Sequence, residues 1–160
     1  MKNSSSKKAL IFYFLTILLF LLFGNCLREL SYSSYLKAYT NSLFSITYTT
    51  NTGSAFGLFA NNSYILAAFA FFALIFLAYY VYKNITFNDK LELYSITVFS
   101  AGALGNLIER LRFGYVIDYI NLNFINFPVF NAFDIMICSG VLLYFIFVLL
   151  DLRKENGNKN

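Results

Sequence analysis

The sequence predicts an all-α membrane protein: a bundle of four transmembrane helices with a small extracytoplasmic β-sheet between spans one and two. Three observations predict it. Of 160 residues, 59% are hydrophobic and only 12% are charged, whereas a soluble domain carries about a quarter charged residues. The apolar residues gather into four blocks, at about 9–28, 64–82, 91–110 and 130–150, each near the ~20 residues that a helix needs to cross the hydrocarbon. Between the first two blocks, over about 30–60, Phe44, Ile46 and Tyr48 alternate with Ser45, Thr47 and Thr49, the period of a half-buried strand.

The first block follows Lys2, Lys7 and Lys8, as the core of a cleavable leader would. Asn25 stands before Cys26 where a cleavage site wants a small residue, and the run is long for a leader, so the block reads as a span. The second block has no charge. The third is short and rich in small residues, and becomes a span only if Leu91, Glu92 and Glu109 to Leu111 extend it at the interfaces. The fourth contains Asp134. Residues 1–160 read as a single integral membrane domain, and a monomer is expected.

Orientation follows from the basic residues. One side of a four-span chain holds Lys2, Lys7, Lys8, Lys83, Lys90, Arg153, Lys154 and Lys159; the other holds Arg28, Lys37, Arg110 and Arg112. The excess of positive charge marks the cytoplasmic side. Both termini are therefore expected in the cytoplasm, with the 30–60 segment and the 109–129 segment outside. No basic stripe of the kind that binds nucleic acid is present.

The absence of His removes histidine-based nucleophilic triads and histidine metal ligands. Cys26 and Cys138 lie in separate apolar blocks and are expected to be core thiols rather than a disulfide. Neither a metal nor a cofactor is expected.

Polar residues cluster towards the outer ends of the spans. Gly102 and Gly105 suit close helix packing. Asn106, Glu109 and Arg110 are spaced to share a helix face. Asp134 lies in the first turns of an otherwise apolar helix. Burying such a carboxylate costs about 2.5–3.5 kcal/mol on insertion scales, so it belongs to a bundle interior or an aqueous cavity. Asp118 sits in an apolar loop setting, Val116-Ile117-Asp118-Tyr119-Ile120, where a turn or cap role is the ordinary alternative. If the two meet, they share one proton, and one activates water while the other donates to a carbonyl. A Mg²⁺ or Ca²⁺ site, a proton relay in a transporter and a non-catalytic scaffold stand as alternatives.

Three ordered blocks carry a resemblance over essentially the whole chain. They are Asn51-Thr52-Gly53-Ser54-Ala55-Phe56-Gly57, the run from Gly102-Ala103-Leu104-Gly105-Asn106 through Glu109-Arg110 to Asp118-Tyr119, and Phe130-Asn131-Ala132-Phe133-Asp134. Together they resemble the signature blocks of the bacterial lipoprotein signal peptidases (signal peptidase II). The resemblance implies an aspartic endopeptidase of the bacterial inner membrane, inhibited by globomycin. It would cut prolipoproteins just before a diacylglyceryl-modified Cys, in contact with membrane lipid. Asp118 and Asp134 would be the catalytic pair, with Asn51, Gly53, Asn106, Arg110 and Asn131 binding substrate or supporting the pair. The surface sheet would cradle the substrate. Three positions depart from the family pattern. Glu109 replaces an Asp, Asn25-Cys26-Leu27-Arg28-Glu29 replaces Asp-Gln followed by Lys, and Phe133 replaces a small residue, where its bulk is expected to narrow the pocket.

Overall fold

The computed structural model describes residues 2–33, 39–54, 59 and 61–157. Lys37 and Lys159 of the charge count, and Ala55 to Gly57 of the first motif, lie outside the described residues. The elements in chain order are α1 (Lys2–Tyr32), β1 (Phe44–Asn51), α2 (Ser63–Asn84), α3 (Lys90–Phe113), β2 (Val116–Leu122) and α4 (Ala132–Gly157). All four helices are long and apolar enough to cross a membrane.

The least apolar block makes the central helix. In α3, 61% of the most apolar stretch is buried, against 11–17% in the other three helices, whose large apolar side chains face outward as lipid requires. Two buried hydroxyls of α3 are satisfied within the helix, Thr97 Oγ1 donating to Leu93 O at 2.6 Å and Ser95 Oγ to Glu92 O at 2.8 Å, whereas the buried Ser100 Oγ has no hydrogen-bond partner among the described residues. Such internal bonds let small polar residues sit at a helix interface where water is absent. The two thiols are free and exposed rather than core residues. A thiol is apolar enough to face lipid, so burial gains it little.

Glycines set how closely the helices approach. A side chain at Gly102 would overlap the backbone of Phe133 and Ile137, and one at Gly140 would overlap the backbone of Phe99. The α3–α4 contact is thus backbone against backbone, as small-residue interfaces allow. Phe133 is 2% exposed, and its ring occupies the space left open by Gly24 of α1 and Gly105 of α3. The expectation that Phe133 narrows the pocket is therefore corrected, because two glycines receive the ring away from the cavity. Gly105→Ala should unseat it, at about 1–3 kcal/mol for overpacking, read as a lower thermal unfolding midpoint in detergent.

The sheet differs from the sequence expectation in where its second strand originates. Strand β1 comes from between α1 and α2 as expected, but its antiparallel partner β2 comes from between α3 and α4. Residues 116–119 are buried without alternation, which is why the pattern reads as an apolar loop: a strand covered on both faces loses its period of two. Phe130 is also not helical. It bridges to Ile120, and α4 begins at Ala132. Between α3 and β2, Gly114 adopts φ 81°, and its N–H reaches Arg110 O at 2.9 Å. This left-handed cap, which glycine adopts without strain, ends the helix and turns the chain sharply into β2.

Candidate active site

Phe44, Ser45 and Ile46 pair with Leu122, Asn121 and Ile120, whereas Thr49, Thr50 and Asn51 pair with Asp118, Ile117 and Val116. Three steps along β1 match two along β2, so β1 carries a bulge between Ile46 and Thr49. Cross-strand partners share a face, as do residues two apart on one strand. Thr49 and Asn51 therefore lie on the face of Asp118. An unbulged strand would place Thr50 there and turn Asn51 to the opposite face. The bulge is the reason Asn51 Nδ2 reaches Asp118 Oδ2, at 3.0 Å.

Asp134 is held by the start of α4. Asn131 Oδ1 accepts from the Phe133 and Asp134 N–H groups at 2.7 and 3.1 Å, and Asp134 Oδ2 accepts from the Asn131 N–H at 3.0 Å. This is a reciprocal capping box with Asn and Asp in the two roles. The positive end of the helix dipole also favours a carboxylate at this position. The same Asn131, 1% exposed, joins the two acids. Its Nδ2 donates to Asp118 Oδ1 at 2.8 Å and to Asn106 Oδ1 at 3.2 Å, and Asn106 Nδ2 donates to Asp134 Oδ1 at 2.8 Å.

Backbone groups fix the direction of every amide. Asn131 Oδ1 faces backbone donors, so its nitrogen must face Asp118 and Asn106, and Asn106 must then turn its own nitrogen to Asp134. Asn51 Oδ1 accepts from Gly53 N at 3.0 Å, which turns its nitrogen to Asp118. Each of the four carboxyl oxygens receives one N–H, and lone pairs remain for a proton, water or substrate. The amides face the acids with donors, the orientation that supports carboxylates rather than one that adds oxygen ligands for a cation.

Asp118 is 2% exposed. Burial raises its carboxyl from the ordinary 3.8 to about 6; the Asn51 and Asn131 bonds oppose the shift, and the charges of Asp134 and Glu109 add to it. Asp118, Asp134, Asn51 and Arg110 line one cavity of about 500 Å³ whose remaining wall includes Leu122, Phe130 and Ile137. Arg110 Nη2 donates to Gly53 O at 2.8 Å and Nη1 to Asn106 O at 3.4 Å, while its buried Nε has no partner. Among the described residues the ion pairs are those of Arg28 with Glu29 and Glu109, so no Asp118–Arg110 pair forms at that range.

All the residues singled out from the sequence as site candidates, Asn51, Gly53, Asn106, Arg110, Asp118, Asn131 and Asp134, thus come together. Glu109 does not share the Asn106–Arg110 face; it points to α1 and β2, accepting from Arg28 Nη1 and from the Ile117 N–H. Arg28 and Tyr119, which were not site candidates, also brace the site. The Tyr119 hydroxyl accepts from Ala132 N at 3.2 Å, which satisfies a helix-start donor of α4. The Asn-x-x-Asp spacing at 131–134 was a usable signal for the cap. Nothing local marks Tyr119.

Residues 16–150 match the signal peptidase (SPase) II family, Peptidase_A8. The lipoprotein signal peptidase of Streptococcus agalactiae is 34% identical over 125 residues, covering 78% of this chain and 79% of its own. That of Syntrophomonas wolfei is 40% identical over 113 residues, covering 71% and 73%. Among solved structures, a bacterial membrane enzyme determined by the in meso method at 2.3 Å superposes with a TM-score of 0.76 at 26% identity, covering 92% of this chain and 91% of that one. A second, at 1.9 Å, gives 0.73 at 27% identity, covering 86% and 92%.

The four apolar helices and the matched family define a multi-pass bacterial membrane protein. The chain belongs to the signal peptidase II family, the lipoprotein signal peptidases. It is accordingly a protease that removes signal peptides from prolipoproteins.

Proposed function

We propose that Asp118 and Asp134 form the catalytic dyad of an aspartic endopeptidase that cuts just before the diacylglyceryl-modified Cys of prolipoproteins. The observation that carries this reading is the pair of acids, one on β2 and one at the start of α4, bridged by Asn131 and opening on one cavity. The pair holds one proton. The ionised member takes a proton from water as the water attacks the scissile carbonyl, and the protonated member donates to the carbonyl oxygen. Arg110 and Asn51 line the cavity beside the dyad and, with Gly53, which bonds to both, position the substrate backbone. The apolar wall receives the lipid. Each buried methylene contributes about 0.8 kcal/mol, so acyl chains help bring the modified Cys to the acids. The charge asymmetry supports cytoplasmic termini and a site at the outer face of the inner membrane. The protein works as a monomer within membrane lipid and without a cofactor.

The test is cleavage in vesicles by the purified protein, with matched prolipoproteins bearing or lacking diacylglycerol. The expected product begins at the modified Cys, and the unlipidated substrate is poor. Cleavage elsewhere, or equal cleavage of both substrates, contradicts the reading. The raised Asp118 value gives the pH sign: the fold favours the protonated form, so the shared proton is present below about pH 6 and lost above it. The rate should fall as pH rises through about 6. By linkage, stability falls as pH rises from about 4 to about 6, where an unfolded chain has already released the proton, and the loss remains in full above pH 6.

A further inference from the structure

Outside the dyad, one buried ionic group has a geometry that the chemistry above does not use. Glu109 is 2% exposed and Arg28 8% exposed. Burying two opposite charges is costly, and it is offset only when every lone pair and proton finds a partner. Here the two oxygens of Glu109 divide the work. Oε1 accepts from Arg28 Nη1 at 3.1 Å, and Oε2 accepts from the Ile117 N–H at 2.8 Å. Ile117 immediately precedes Asp118. Further along β2, the Tyr119 and Ile120 N–H groups are taken by Phe130 O at 3.0 and 2.8 Å. Glu109 thus supplies a side-chain acceptor to the β2 backbone, next to the residue whose placement matters most. Arg28 also donates to Glu29 Oε1 at 2.8 Å and lies over the Phe113 ring at 5.9 Å. It therefore joins the outer ends of α1 and α3 at the point where Glu109 holds the strand.

We infer that Glu109 and Arg28 are positioning residues of the peptidase: the carboxylate fixes Asp118 through the Ile117 amide, and the guanidinium fixes the carboxylate. This rests on the dyad reading. Neither residue lines the cavity, so neither is expected to touch substrate. A Gln at 109 has one acceptor for two donors, and whichever way it turns, one donor is left without a partner.

The experiment compares Glu109→Gln, Glu109→Leu, Arg28→Met and Arg28→Lys in full-length protein, with rates expressed per folded molecule. Misplacement of a reacting group by about 1 Å costs about a hundredfold. Glu109→Leu should therefore lower kcat by about that factor, and Glu109→Gln and Arg28→Met by about tenfold, with KM little changed. Arg28→Lys restores the charge facing Glu109 and should stay within about threefold of the parent, since only one guanidinium nitrogen engages that carboxylate. Hydrogen exchange supplies a readout independent of activity. In Glu109→Gln and Glu109→Leu, amides at 117–119 should exchange at least about tenfold faster than in the parent, with α2 unchanged. Folded variants with parental kcat and parental exchange at Ile117 would overturn the inference, as would loss of folding stability alone. If the parent cleaves no prolipoprotein, the peptidase reading fails, and the exchange measurement still decides whether Glu109 holds the strand.

Discussion

Asp118→Asn and Asp134→Asn are each expected to reduce kcat by about a thousandfold, within the 10² to 10⁴ span of a lost general acid or base. Neither amide can accept a proton from water or share one with its neighbour. The substitutions are close in shape but not silent for stability. Each carboxyl oxygen now accepts one N–H, and an amide presents one oxygen and one NH₂ to the same two donors. One donor therefore meets another, at about 1–3 kcal/mol for a buried polar group left unsatisfied. Rates must accordingly be normalised to folded protein, measured with a lipidated substrate across pH 5 to 8. Parental turnover by either folded variant would remove that residue from the chemistry.

Asn131→Ala should be the most damaging change among the supporting residues. It removes the α4 cap, worth about 1 kcal/mol. It also removes the donor that Asp118 Oδ1 and Asn106 Oδ1 share. With unsatisfied buried groups added, the loss in stability should be about 2–4 kcal/mol. The fall in kcat should be about a hundredfold, because the link between the acids is gone. Asn131→Ser separates the two roles. A serine hydroxyl can cap the helix but cannot also reach Asp118, so about 1 kcal/mol of stability should return while kcat stays low. Thermal unfolding in detergent and turnover of the two variants decide the point; joint recovery in the serine variant would show that Asn131 matters only as a cap.

How far the sequence carried the fold depended on how regular each signal was. Four apolar blocks require four helices whatever their partners, because backbone polar groups in lipid must be satisfied internally. Asp134 stood out by its depth in the fourth. The strand around Asp118 was not legible, since Val116 to Tyr119 are buried on both faces and their period vanished. The β1 bulge was hidden for a related reason: register is a property of two strands, and the second had not been identified. Glu109 looked like an ordinary helix-end charge. Its partner lies 81 residues away, and no local spacing connects them. Phe133 looked like an obstruction for the same reason, because Gly24 and Gly105, which make room for it, belong to other helices.

The shared sheet also bears on how the enzyme comes into being. Asn106, Asp118, Asn131 and Asp134 belong to the second pair of helices and their connection, while Asn51, Gly53 and Arg28 belong to the first. A chain emerging from its N-terminus inserts the brace before it inserts the acids. The second half alone would carry both carboxyl groups, but Asp118 Oδ2 and the Ile117 amide-holding carboxylate would each lack a partner. Only when β2 settles beside β1 is the constellation complete. With the proposed dyad as the site, activity is expected only after finished membrane assembly, and a half-inserted chain would lack a competent site with which to cut its neighbours.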